Sequence, residues 1–308
     1  MDHSSSHDNY RSVGRRKFIA GSLLTAGALL TTPVITKAAG IYKPNETYTV
    51  GEIMDLFIKE VPGGILTNTV DTLKAGNRNM LVTGIVTSMF ATIEVIRKAI
   101  DLGANFIIAH EPVFYNHQDD RSWLKDDDVY QYKAGLLKQH NMAVWRNHDY
   151  IHSLVPDGVT VGVLKKLQWT KYASQDVPNN ITLPATTLKE LIGYLKEKLL
   201  IEKVRYVGDP VQSCSRLLLM PGAAGGRRQI ESIGRIKPDV LICGEIQEWE
   251  TAEYVRDARA KGDNISLVVL GHIASEEPGS EFMLNWLKKK IPSVTSTHIS
   301  SGNSLSFL

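Results

Sequence analysis

Cysteine is nearly absent from this chain of 308 residues, which carries only Cys214 and Cys243, both in or beside apolar runs. Two thiols are too few for a disulfide-stapled scaffold or a zinc knuckle, and their surroundings mark them as buried packing residues. One-sided charge is absent as well. The formal net charge is +2, with 35 basic against 33 acidic residues, and nothing resembles the clustered Lys/Arg face that binds nucleic acid. Long apolar runs are missing too: the stretch 19–35 is short and rich in Gly and Thr for a spanning helix, which needs about 20 apolar residues. The glycine-rich segment Pro221-Gly222-Ala223-Ala224-Gly225-Gly226 fits neither dinucleotide nor P-loop spacing. It reads as a tight strand-to-helix turn ahead of an anion cradle.

What is present is enough for a sizeable core. With 43% hydrophobic residues the chain is globular, and its length suits two domains of ordinary size. The first forty residues stand apart. Gly14-Arg15-Arg16-Lys17-Phe18-Ile19 precedes the apolar run, and Thr36-Lys37-Ala38 offers small residues for cleavage. Paired arginines before such a run are the twin-arginine (Tat) address, so residues 1–40 are expected to direct export to the periplasm or another extracytoplasmic space. Cleavage would leave a nearly neutral protein with no membrane segment. The competing reading of the same run is an N-terminal anchor.

Beyond residue 41 the order of events repeats. Thr49 to Glu52 spells a capping box ahead of a helix, followed by a strand over 79–86, a helix over 91–102 and a buried strand over 106–109. A loop of charge and aromatics follows, then a helix over 129–138, a strand over 142–145 and a helix carrying Val163, Leu164, Lys165 and Lys166. Residues 169–186 are polar, contain Pro178 and Pro184, and read as a linker. A second capping box, Thr187 to Glu190, opens the same series: strand 216–220, helix 228–236, strand 240–243, helix 250–260, strand 265–270 and a closing helix with Leu287, Lys288 and Lys289. The expectation is an α/β fold of two pseudo-duplicated units, 41–168 and 187–308, with largely parallel sheets flanked by helices. Elements near the C-terminus are free to pack with the first unit. Ligands in such folds bind beyond the carboxyl ends of strands.

Imidazoles and carboxylates gather at those strand ends. His272 and Glu276 follow the strand 265–270 at i, i+4 spacing, which puts both on one face of a helical turn. In register, Glu111 falls opposite Glu245, and His148 with His152 falls opposite His272 with Glu276. His110 ends the strand before Glu111. Together they could hold two divalent ions of the zinc, manganese or iron class, lowering the pKa of a water to make a nucleophile near neutral pH. Glu245 and His148 are the candidates to shuttle protons. Taken singly, His110 could merely end a strand and Asp149 could merely bond backbone amides. His117, His140 and His298 lack such companions and read as surface or packing residues.

These residues resemble the NGG-interacting factor three-like family of dinuclear metal centre proteins, whose members are often called GTP cyclohydrolase I type 2 homologues. The likeness rests on Leu270-Gly271-His272 with Glu276, on Asp239 to Glu245, on Gly222 to Gly226, on Val207 to Pro210, and on Ala104 to Pro112. It covers nearly all of the chain past the leader. It implies a two-domain α/β protein that forms a hexameric ring with a two-metal site inside, here without the long insertion some members carry between halves. His272 and Glu276 match the family's C-terminal ligands, and His110 matches the first of two adjacent histidines. Glu111 stands where the second histidine is usual, and His152 where an aspartate is usual, with Asp149 as the alternative ligand. The implied metal set is therefore His110, Glu111, His152, His272 and Glu276. The implied function is a metal-dependent hydrolase of cyclohydrolase or phosphoesterase type acting on a small-molecule substrate. The alternative is a non-catalytic metal-binding or ring-forming scaffold protein.

Overall fold

Short runs of aliphatic residues buried on both faces, separated by capped helices, generate two parallel-centred sheets. The computed structural model describes residues 46–308, and the leader read as residues 1–40 lies outside the described residues. Thr49 and Glu52 form a reciprocal cap on helix α1 (Val50–Ile58). Then come β1 (Leu73–Ala75), β2 (Ile85–Ser88), α2 (Ile93–Asp101), β3 (Phe106–Ala109), α3 (Asp128–Gln139), β4 (Ala143–Arg146), α4 (Asp149–His152) and α5 (Gly158–Lys166). Strand β5 (Asn180–Thr187) leads into α6 (Leu188–Leu199), capped by the second reciprocal box at Thr187 and Glu190. The chain continues through β6 (Arg205–Val207), β7 (Ser213–Met220), α7 (Gly226–Ile236), β8 (Val240–Cys243), α8 (Glu253–Ala260), β9 (Ser266–Val269), α9 (His272–Lys290) and β10 (Ser296–His298).

The sheet orders are β1-β4-β3-β2-β10 and β5-β7-β8-β9-β6. In the first sheet only the edge pair β1–β4 is antiparallel; in the second, β7, β8 and β9 run parallel between antiparallel edges. Strand β10 returns from the end of the chain to lie parallel to β2. Side chains alternate between two cores. Ile85, Phe106, Ile108 and Trp145 of one sheet, with Leu217, Leu219, Val240 and Ile242 of the other, share a central cluster with α1, α5, α6 and α9. Val86, Ile107 and Val144 face an outer cluster with α2, and Leu218, Leu241 and Leu267 face another with α8. The layers therefore run helix, sheet, helix, sheet, helix, which is why the central strands read as unbroken apolar runs.

Two sequence expectations change. The strand placed at 79–86 starts only at Ile85, because Asn77 to Val82 turn back to bond Tyr48, Val50 and Gly51 at the start of α1. The segment read as a linker contains a short helical turn (Thr170–Tyr172) and all but the last residue of the eight-residue strand β5. Pro184 of that strand sits at an edge, inside the register shift between Thr182 and Thr186, where no donor N–H is needed. No helix among the described residues is long and apolar enough to cross a membrane.

Candidate metal centre

The parallel strands of both sheets end around one spot. Residues His110 and Glu111 follow β3, His148 and His152 bracket the short α4 after β4, and His272 and Glu276 occupy the first turns of α9 after β9. The four imidazoles share one feature of orientation. Each is held through Nδ1: His110 against the Asn147 carbonyl at 3.3 Å, His148 against Asp149 at 2.9 Å, His152 against Asp157 at 2.8 Å and His272 against Glu245 at 2.9 Å. Such contacts fix the tautomer and aim the other nitrogen.

The Nε2 atoms meet two buried carboxylates. His272 Nε2 lies 3.1 Å from Glu111 and 3.0 Å from Glu276. His110 Nε2 is 3.4 Å from Glu276, His148 Nε2 is 3.8 Å from Glu111, and His152 Nε2 is 3.9 Å from Glu276. Each carboxylate thus faces histidines delivered by both sheets. His110 Nε2 is buried without a hydrogen-bond partner, an expense that a cation would remove. Ligand atoms of His110, Glu111 and Glu276, and likewise of His110, His148 and His152, lie within 4.8 Å of one another. Imidazole nitrogen with carboxylate oxygen suits a borderline divalent ion, so these buried His/Glu groups could hold a metal ion.

The electrostatics separate the groups. For Glu111, burial alone would raise the carboxyl, but the His272 hydrogen bond and the charges of His110, His272 and His148 hold it at about 2. Glu276 is pulled well below the carboxylate range against its burial by His110 and His272. Burial opposes charge on His272, yet the hydrogen bonds and charges of Glu111 and Glu276 raise it to about 11. Burial and the neighbouring His110 push His148 down to about 4, so it is a neutral imidazole with a free lone pair. His152 is raised, burial being outweighed by Asp157.

The surrounding chain shapes this arrangement. Arg146 is fully buried behind Glu111, its guanidinium 3.6 Å from Glu111 Oε2 and 3.5 Å from Asp119, and it also reaches the His117 carbonyl. Asp71 accepts the backbone N–H groups of His148 at 2.9 Å and Tyr150 at 2.7 Å, pinning the start of α4. The glycine-rich turn makes room for a ligand residue. Gly222 has φ +67°, and a Cβ there would lie 2.2 Å from Glu276 Oε1, so only glycine lets the turn close over that carboxylate.

All seven residues singled out from the sequence come together: His110, Glu111, His148, His152, Glu245, His272 and Glu276. Glu245 is the outermost, with its side chain 54% exposed, and its contact is to His272 Nδ1. His148 has the same orientation as the other histidines, and its ligand atom lies close enough to those of His110 and His152 that the three could hold a metal ion. Asp149, the alternative ligand, spends its carboxylate on Thr69 Oγ1, the Val70 N–H and His148, and does not join the cluster. His117 is an exposed residue whose ring packs 5.8 Å from that of His148, and it does not join the ligand groups. His298 bonds the Thr87 carbonyl at 3.0 Å and is a packing residue. Asp157, Arg146 and Asp71 were missed, and Gly222 was read as part of a tight turn without its approach to Glu276. Asp157 lies five residues after His152 in a Pro-Asp-Gly turn, where a capping role hides its bond to the imidazole.

Fold and site define a class: a two-sheet α/β protein whose buried histidines and glutamates at the strand ends could hold a metal ion. The family follows directly, since residues 68–303 match the Duf34/NIF3 (NGG1p interacting factor 3) family, and the chain belongs to it. Relatives include the GTP cyclohydrolase 1 type 2 homolog of Clostridium acetobutylicum, 27% identical over 217 residues, which cover 67% of this chain and 76% of that protein. The Clostridium perfringens protein of the same name is 24% identical, covering 67% of this chain and 78% of its own. Among solved structures, Staphylococcus aureus protein SA1388 has a TM-score of 0.66 at 20% identity, covering 86% of this chain and 99% of that one. A Bacillus cereus protein related to NIF3 has a TM-score of 0.67 at 16% identity, covering 86% and 99%. These structures share the fold.

Proposed function

We propose that the chain is a dinuclear-metal-binding, metal-dependent hydrolase acting on a small-molecule substrate. The observation that carries this reading is the set of four imidazoles, each tied through Nδ1 and facing Glu111 or Glu276 through Nε2. Residues His110, Glu111, His272 and Glu276 would hold one ion, and His148 with His152 a second, the two carboxylates lying between the histidine sets. Divalent ions so placed supply Lewis-acid polarisation and a nucleophile at neutral pH. Glu245 accepts the His272 Nδ1 proton in a hydrogen bond and is open to solvent, so protons enter and leave at that atom.

The name carried by the clostridial relatives supports a cyclohydrolase type of reaction; the phosphoesterase type rests on the His/Glu groups alone. The reading extends to a homohexamer, supported by the family resemblance, and to Tat export, supported by Arg15-Arg16-Lys17-Phe18 before the apolar run. The test is a metal-supplemented screen of phosphoesters, cyclic amides and amidines. Turnover should fall at least about 100-fold in His272→Ala with the oligomer retained. Absence of turnover from every class at full metal occupancy would instead favour a non-catalytic metal-binding or ring-forming scaffold.

A further inference from the structure

A cavity of about 250 Å³ opens beside the cluster, and His152 and Glu276 form part of its wall. Its far wall is one face of α7: Arg228, Ser232 and Arg235, at i, i+4 and i+7, all line it, as helical spacing requires of residues sharing a face. Arg227, on another face of that helix, pairs with Glu231 at 2.8 Å. Arg228 and Arg235 have no carboxylate partner among the described residues. The acids lining the cavity offer them none. Asp157 is held by His152 Nδ1 at 2.8 Å and the Thr160 N–H at 2.8 Å, and Glu276 by His272. On the remaining side the cavity is lined by Asn179 and Asn180, at the start of β5.

Two guanidinium groups over a concave space match a doubly charged oxyanion, which they can bind through paired hydrogen bonds. The volume lies below the roughly 300–1,000 Å³ of pockets for drug-sized ligands, which suits a group of phosphate size. We propose that this cavity binds the phosphate group of a small phosphorylated substrate, with Arg228 and Arg235 as counter-ions. This assignment rests on the hydrolase reading for the word substrate, but phosphate binding is measurable without turnover.

Inorganic phosphate is titrated calorimetrically into the full chain, both stripped by chelator and reloaded with zinc or manganese. Wild type should bind phosphate in both states, and acetate should compete at least tenfold more weakly. The double variant Arg228→Gln/Arg235→Gln should lose at least tenfold in phosphate affinity while metal content and circular dichroism stay unchanged. Each single variant should lose part of it, which keeps the test open should the double variant fold poorly. Equal affinity in wild type and variants, phosphate binding only when metal is loaded, or equal competition by acetate would each overturn the proposal. Phosphate binding that follows the arginines in a protein with no turnover would leave this site standing and remove the hydrolase reading alone.

Discussion

Glu111 and Glu276 approach the same nitrogen of His272 at 3.1 and 3.0 Å, and their joint charge fixes the protonation of that ring. Its folded pKa is raised to about 11, so across the neutral range the imidazole carries a proton between two carboxylates. A divalent cation bound to His272 Nε2 displaces that proton, because a metal takes only the lone pair. The sign follows. Below the raised pKa each binding event releases one proton from His272, so affinity rises with pH, by about one log unit per pH unit from this group alone. Chelator-competition titrations between pH 6 and 9 should show that slope. A flat profile would mean that His272 binds no ion. His148, already neutral by virtue of burial and His110, adds nothing to the slope over the same range.

The approach of α5 to α9 sets the depth at which Glu276 sits, and one small residue permits it. A Cβ on Gly162 of α5 would lie 2.2 Å from the Pro278 carbonyl oxygen of α9, a backbone atom that cannot turn aside. Gly162→Ala should therefore separate the helices and cost about 1–3 kcal/mol as an overpacked contact, read as a lower urea midpoint. It should also weaken metal uptake, since Glu276 lies two residues before Pro278. Nothing in the residues around Gly162 marks this contact in the sequence, whereas the parallel strands were plain there. Residues 106–109, 240–243 and 267–269 are buried on both faces and have no option but continuous apolar side chains. The edge strands were not legible for the complementary reason. β1, β6 and β10 have three residues each and are half exposed, and β5 mixes Asn, Thr and Pro along a solvent face. The donors were read from their strand-end positions and their i, i+4 spacing. The groups that aim them, Asp157 and the Asn147 carbonyl, belong to turns whose geometry no spacing rule encodes.

At the scale of the whole molecule, the donors divide between the sheets in a way that would make metal binding part of folding. His110, Glu111, His148 and His152 hang from β3 and β4, while His272 and Glu276 hang from α9, which packs in the shared central layer and leads on to β10 beside β2. An ion joining both sets binds only when the two sheets are in place, so its binding free energy adds to native stability. At a free metal concentration of about a thousand times Kd the gain is about 4 kcal/mol. For a chain of this size each kcal/mol moves Tm by about 2–4 °C. The shared central cluster predicts one cooperative transition for both sheets. Scanning calorimetry should accordingly show a single peak that climbs by about 8–16 °C on loading, with less than half that shift in His272→Ala because one donor from the second sheet is gone. Two separate peaks, of which only one responds to metal, would mean that the ions are held by one sheet's donors alone.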